Sequence, residues 1–239
     1  MKPAAILWDY DGTLVDSAVK NRAVTIDLLR RFDRNIEQHL PAALVSVAAY
    51  RRANLRWESW QAVFQNEYHL SDAEVAKAAE LWADCQRADP LQPPLFNGLR
   101  EVLPVLAAAA PMAVCSRNSS DNIRATLRRY GVLDCFGAVV GSTELPAADR
   151  KPAPGACLAA LAALGLRGDE GPILCIGDHR EDVLFAHAAQ QTLRSRGLDA
   201  RVLCVTARFG DKVCLTAQTG ADGCAAAPEQ LPGLLQQLG

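Results

Sequence analysis

The stretch Ala4-Ala5-Ile6-Leu7-Trp8-Asp9-Tyr10-Asp11-Gly12-Thr13 decides how the rest of this chain is read. An apolar run of strand length stops at two carboxylates one residue apart. Such a run has the pattern of a buried parallel strand, and in open α/β sheets ligands bind outside the carboxyl ends of strands. Two neighbouring acids repel and push one pKa up, a cost that a cation between them or a shared proton relieves. The competing reading is a polar turn that closes a strand, because Asp-Gly is an ordinary turn pair. The remaining residues have to choose between the two.

The bulk composition narrows the field. With 239 residues, 50% of them hydrophobic, the chain can bury a sizeable core as one large domain or a main domain with a smaller attachment. The net charge of −2 argues against a general nucleic-acid binder. No apolar run is long enough to span a membrane, and Lys2 is followed by too few apolar residues before Asp9 for a secretory signal. Cys85, Cys115, Cys135, Cys157, Cys175, Cys204, Cys214 and Cys224 include no C-x-x-C pair, and several sit inside apolar runs. They read as buried thiols of a cytoplasmic protein rather than as a zinc site or disulfide framework.

Two regimes follow the opening stretch. Residues 16–90 are mostly helical, with Trp57, Trp60 and Phe64 on one apolar stripe and no strand-like alternation. The segment Asp89-Pro90-Leu91-Gln92-Pro93-Pro94 cannot continue a helix and reads as a linker. Beyond it, strands at Met112–Cys115, Ala138–Val140, Ile173–Ile176 and Arg201–Val205 alternate with helices. Those helices are expected at Gly98–Ala109, Asp121–Tyr130, Pro154–Leu164, Glu181–Arg194 and Gln230–Leu238. Alternation of this kind predicts an α/β fold, a doubly wound parallel sheet covered by helices on both faces. The first strand has to join that sheet, which makes the helical block an insertion: residues 1–15 and 91–239 form the core, 16–90 the inserted domain.

Several strands end in a polar group at the step into the next loop: Asp9 after Leu7-Trp8, Ser116 after Val114-Cys115, and Asp178 after Cys175-Ile176-Gly177. Parallel strands share one edge at these ends, so the groups can converge on one crevice. Lys151 adds a cation in Arg150-Lys151-Pro152-Ala153-Pro154, and Asp182 lies one helical turn after Asp178. Carboxylates, a hydroxyl and a lysine suit phosphoryl transfer assisted by a hard cation such as Mg²⁺, which takes oxygen ligands. Each residue also has a bland reading: Ser116 as a helix cap, Lys151 as a surface charge, Gly177-Asp178 as a turn, Asp182 as an acid facing a helix dipole. Their joint placement at matching strand ends is what favours chemistry. The chain has no G-x-x-x-x-G-K-[ST], G-x-G-x-x-G or G-x-S-x-G motif.

Asp9-x-Asp11-Gly12-Thr13, Ser116, Lys151-Pro152 and Gly177-Asp178-x-x-x-Asp182 resemble, in order, the four motifs of the haloacid dehalogenase-like hydrolase superfamily. The helical insertion is similar to that superfamily's small helical cap, in the branch of the phosphoglycolate phosphatases and β-phosphoglucomutases. The resemblance implies a Rossmann-like core and a Mg²⁺-dependent phosphatase that hydrolyses a small phosphorylated metabolite through an aspartyl-phosphate. Asp9 would be the nucleophile, and Asp11 would protonate the leaving oxygen and then activate water. Asp9, the Asp11 backbone carbonyl, Asp178 and Asp182 would serve the metal. Gly12, Thr13, Ser116, Arg117 and Lys151 would surround the phosphoryl group. The second acid, Asp11, separates the chain from the dehalogenases.

Arg117, Gly155 and His179 stand where the family often carries other residues, and 190–199 is longer and more polar than expected. Arg51, Arg52 and Arg56 in the insertion are candidates to meet an anionic substrate group, against the plainer reading of a solvated face. The expected setting is the cytoplasm, as a monomer or homodimer, with no nucleic acid or membrane partner. The alternatives are a sugar-phosphate mutase, a signalling phosphoacceptor domain, or a catalytically silent binding module.

Overall fold

The computed structural model describes residues 2–57, 59–210 and 220–238. The chain divides into two compact units, 1–16 with 95–239 and 17–94. The second unit is built from α1 (Ala18–Leu29), α2 (Val47–Arg56), α3 (Trp60–Tyr68) and α4 (Asp72–Ala88). Its core gathers Val24, Leu28, Leu44, Phe64, Tyr68, Val75 and Ala78. Ser71 opens α4 with a capping box closed by Glu74, which satisfies two of the end's free N–H groups.

Trp57 corrects one detail of the sequence reading. It does not share a helix with Trp60 and Phe64, because α2 ends at Arg56 and Trp57 is extended. All three still pack in the unit's core, with the Trp60 and Phe64 rings edge to face at 5.4 Å.

The first unit carries a six-stranded sheet in the order β3-β2-β1-β4-β5-β6. Its strands are β1 (Ala5–Trp8), β2 (Met112–Cys115), β3 (Ala138–Val140), β4 (Ile173–Gly177), β5 (Val202–Ala207) and β6 (Gly223–Ala225). Every neighbouring pair is parallel. Helices α5 (Leu99–Ala109), α6 (Ser120–Arg129), α7 (Gly155–Ala163), α8 (Arg180–Ser195) and α9 (Leu231–Leu238) accompany it. The fold is the expected doubly wound α/β architecture.

Although the central strands are apolar throughout, their side chains still alternate between two cores, as a pleat requires. Ile6, Trp8, Val114, Leu174, Ile176 and Val205 face one core, shared with α5, α6 and α9. Leu7, Cys115, Cys175, Cys204 and Val202 face the other, shared with α7 and α8. Cys85, Cys115, Cys135, Cys157, Cys175 and Cys204 are free thiols. Cys224 is disulfide-bonded, so the expectation of free thiols does not extend to it, and Cys214 lies outside the described residues.

The strand order fixes where a ligand belongs. The chain steps outward from β1 to β3, then crosses back to β4 on the other side of β1. That reversal between β1 and β4 is the switch point at which open α/β sheets leave a crevice.

Candidate active site

Asp9, Ser116, Asp178 and Arg208 are the residues that follow β1, β2, β4 and β5, and parallel pairing brings all four to the same sheet edge. Three of them remain in the hydrogen-bond ladder past the end of their strands. Asp9 N–H donates to the Ile176 carbonyl at 2.8 Å, Ser116 N–H to Val140 at 3.0 Å, and Arg208 N–H to Ala225 at 2.8 Å. These bonds fix the main chain from which the three side chains project.

Lys151 joins the acids into one cluster. Its Nζ donates to Asp9 Oδ1 at 3.0 Å and to Asp182 Oδ1 at 2.6 Å, and the residue is only 7% exposed. The Phe185 ring lies 5.0 Å from that ammonium, within cation–π range. Asp182 sits at the third position of α8, where its Oδ2 accepts from the His179 N–H at 3.0 Å. Asp182 caps the helix start with one oxygen and meets Lys151 with the other.

Carboxylate oxygens of Asp9, Asp178 and Asp182 lie within 4.8 Å of one another. An all-oxygen donor set at this spacing fits a hard divalent cation. Burial and the nearby Asp182, Asp178 and Asp11 hold the Asp9 carboxyl well above the usual carboxylate range, with Lys151 pulling the other way. Burial alone would lower Lys151, but Asp182 and Asp9 outweigh it and keep its pKa well above the ordinary lysine value. The lysine is a fixed cation, and the crowding of acids around Asp9 is what a metal ion relieves.

Gly12 makes this crowding possible. Its φ of 84° suits glycine, and a Cβ there would fall 2.5 Å from Asp178 Oδ2. Only glycine lets the acid from β4 lie against the turn from β1. The N–H of Gly12 donates to the Val15 carbonyl at 2.8 Å and that of Thr13 to Tyr10 at 3.4 Å, so both amides serve the turn. The Thr13 side chain is fully buried.

The other predicted residues fall as follows. Ser116 is not a helix cap: Ser119 caps α6, while Ser116 Oγ accepts from the Asn118 N–H at 3.1 Å. Arg117 pairs with Glu181 at 2.8 Å. Gly155 has no room for the acid the family often carries, since a Cβ would lie 2.5 Å from the Asp149 carbonyl. His179 is the N-cap of α8, its Nδ1 accepting from Glu181 N–H at 3.3 Å. The polar segment 190–199 is tied to β5, with Gln190 Oε1 accepting from Val202 N–H at 2.9 Å. Arg51, Arg52 and Arg56 lie on α2 of the second unit, and Arg56 pairs with Glu67 at 2.8 Å.

Two residues of the site escaped the sequence reading. Asn118 donates to Asp11 Oδ2 at 2.9 Å. Arg208, 4% exposed, donates through Nη1 to the Asp178 carbonyl at 3.3 Å. Carrying the last apolar run from Val205 to Ala207, where β5 ends, would have exposed Arg208 as a fourth polar residue at a strand end.

Comparison with known proteins agrees with this geometry. The model of the haloacid dehalogenase-like hydrolases matches residues 3–190. A phosphoglycolate phosphatase of Yersinia pseudotuberculosis serotype I (strain IP32953) is 30% identical over 199 residues, 77% of this chain and 76% of that protein. Among solved structures, a haloacid dehalogenase-like family hydrolase of Streptococcus pneumoniae superposes with a TM-score of 0.71 at 17% identity, covering 98% of this chain and 99% of its own. A predicted phosphoglycolate phosphatase of Haemophilus somnus 129pt gives 0.67 at 17% identity, covering 98% of each chain. These two likenesses speak for the fold alone. By its motifs, its matched length and its relative, the chain belongs to the haloacid dehalogenase-like hydrolase family and is a hydrolase of the phosphatase kind.

Proposed function

We propose that this chain is a Mg²⁺-dependent phosphatase that hydrolyses the phosphate monoester of a small metabolite through an aspartyl-phosphate on Asp9. The observation that carries the reading is the cluster of Asp9, Asp178 and Asp182 around Lys151 at the switch point of the sheet. Asp9 attacks phosphorus while Asp11 gives a proton to the leaving oxygen; Asp11 then takes a proton from the water that releases phosphate. Ser116 and Lys151 donate to the phosphoryl oxygens, and Lys151 offsets the charge of Asp9 and Asp182. Asp9, the Asp11 carbonyl, Asp178 and Asp182 hold the cation, which when bound neutralises charge on the transferring group. Gly12 and Thr13 shape the turn, and Arg117, paired with Glu181, is a further candidate to meet the phosphoryl group.

The relative named above makes 2-phosphoglycolate the first substrate to try, with other small phosphate monoesters beside it. Arg51, Arg52 and Arg56 remain the candidates for a second anionic group of that substrate. Among the described residues no helix is long and apolar enough to cross a membrane. We place the enzyme in the cytoplasm, as a monomer or homodimer without a nucleic-acid partner.

The test is hydrolysis of 4-nitrophenyl phosphate and a phosphometabolite panel with and without Mg²⁺. Turnover is expected only with the metal, and Asp9→Asn should lower it by on the order of 10³-fold or more. Full activity of Asp9→Asn would remove the nucleophile assignment.

A further inference from the structure

We propose that Asn118 is the positioning residue for Asp11: it holds Oδ2 of that carboxyl by a hydrogen bond, so that the transferred proton travels on Oδ1. The inference rests on the phosphatase reading above and concerns how its acid–base group is aimed.

Asn118 belongs to the loop that leaves β2, two residues beyond the strand-end Ser116, and is nine-tenths buried. Its Nδ2 donates to Asp11 Oδ2 at 2.9 Å. The opposite end of the same amide accepts twice, from the Ser119 N–H at 2.9 Å and from Asn122 Nδ2 at 3.0 Å. These two donors settle the orientation of the amide. Rotating it by half a turn would set an NH₂ against the Ser119 N–H and an oxygen against the Asp11 carboxylate, trading attraction for repulsion on both sides. The backbone of Asn118 is pinned as well: its N–H donates to Ser116 Oγ at 3.1 Å, and its carbonyl accepts from Ser142 N–H at 2.8 Å. One buried residue thereby links the hydroxyl of Ser116 to the carboxyl of Asp11.

The chemical consequence concerns the proton. A carboxyl oxygen that accepts an amide N–H is stabilised as the unprotonated oxygen, so the O–H of the acid form sits on the other one. In the first half-reaction the Asp9–phosphorus bond forms, the bond from phosphorus to the leaving oxygen breaks, and the Oδ1 proton passes to that oxygen. In the second half-reaction water attacks phosphorus, the Asp9–phosphorus bond breaks, and Oδ1 takes the proton back. The same oxygen serves both halves because Asn118 never releases the other.

A purely structural role for Asn118 and this positioning role separate by leaving group. Asn118→Asp keeps the shape and the acceptor for Ser119 and Asn122, while replacing the donor that faces Asp11 with a second acceptor. The measurement is kcat/KM, with Mg²⁺, for 2,4-dinitrophenyl phosphate, 4-nitrophenyl phosphate and phenyl phosphate. The first leaving group departs without a proton, whereas the last needs one. For Asn118→Asp we expect a loss of about 10²-fold on phenyl phosphate, the scale of general-acid assistance, and less than about threefold on the dinitrophenyl ester. Asn118→Ala, checked by thermal melting, should show the same slope if the aspartate variant folds poorly. Equal losses across the series, or an unchanged rate on phenyl phosphate, would overturn the proposal. A wild-type enzyme inactive on all three esters would instead strike at the phosphatase reading, and this inference would fall with it.

Discussion

In the first unit Lys151 meets Asp182 at 2.6 Å with 4% of its side chain exposed, whereas in the second Arg56 meets Glu67 at 2.8 Å with 62% exposed. The contact distances are alike and the settings opposite. A buried cation needs carboxylates against it, so removing the lysine strands the acids that share it. At Arg56 the cation stays in water, and Glu67, 12% exposed, also accepts from Trp57 Nε1–H, so losing the arginine leaves the carboxylate with a donor. Distance alone therefore does not distinguish a buried ionic cluster from a pair whose cation stays in water between two helices; burial does.

Substitutions at the two pairs test the contrast. Lys151→Met leaves Asp9 and Asp182 without their shared cation and should cost about 3–5 kcal/mol in metal-free protein. Urea denaturation without Mg²⁺ measures it, and a loss below about 1 kcal/mol would mean that the cluster is open to solvent. The next largest effect comes from pH. The first unit buries Cys115, Cys157, Cys175 and Cys204, whereas Cys85 is the one such thiol in the described part of the second. Burial pushes the Cys115 thiol up to about 12 from an ordinary 9.0, and raises the other three as well.

The sign follows from proton binding. The unfolded thiols ionise first, so stability is full below about pH 9 and falls as the pH climbs towards the native values. Under reducing conditions a loss on the order of 3 kcal/mol is expected between pH 7.5 and 9.5. A flat profile would contradict the burial of these groups. The smallest effect belongs to Arg56→Ala, expected to change stability by less than about 1 kcal/mol. Glu67 keeps the Trp57 Nε1–H donor at 2.8 Å in that variant. A larger thermal shift would give the exposed pair a weight its setting does not predict.

The same contrast explains what could be read from sequence. β2 and β3 stand where the apolar runs put them, Met112–Cys115 and Ala138–Val140, because runs that short and that apolar suit only buried strands. The polar residues that end such strands were then legible as a site. β6 was not, since Gly223–Ala225 is three residues long and begins with glycine. Asn118 was hidden for another reason: its role depends on Asp11, 107 residues away, and no local pattern reports that contact. On the helical unit the apolar spacing located the core but joined Trp57 to a helix it does not share, because Ser59 starts α3 with a fresh N-cap.

The position of β1 has a bearing on how this protein is made. Ala5–Trp8 leaves the ribosome before both of its sheet neighbours, β2 and β4. One side of it waits for residues 112–114 and the other for residues 173–176. In the interval the helical unit, one uninterrupted segment of residues 17–94, is synthesised whole, and its helices pack on one another within that segment. The nascent chain thus carries an apolar strand with unsatisfied edges past an already formable neighbour. The central place that lets β1 present Asp9 to the crevice also leaves both its edges open until β2 and β4 have been made.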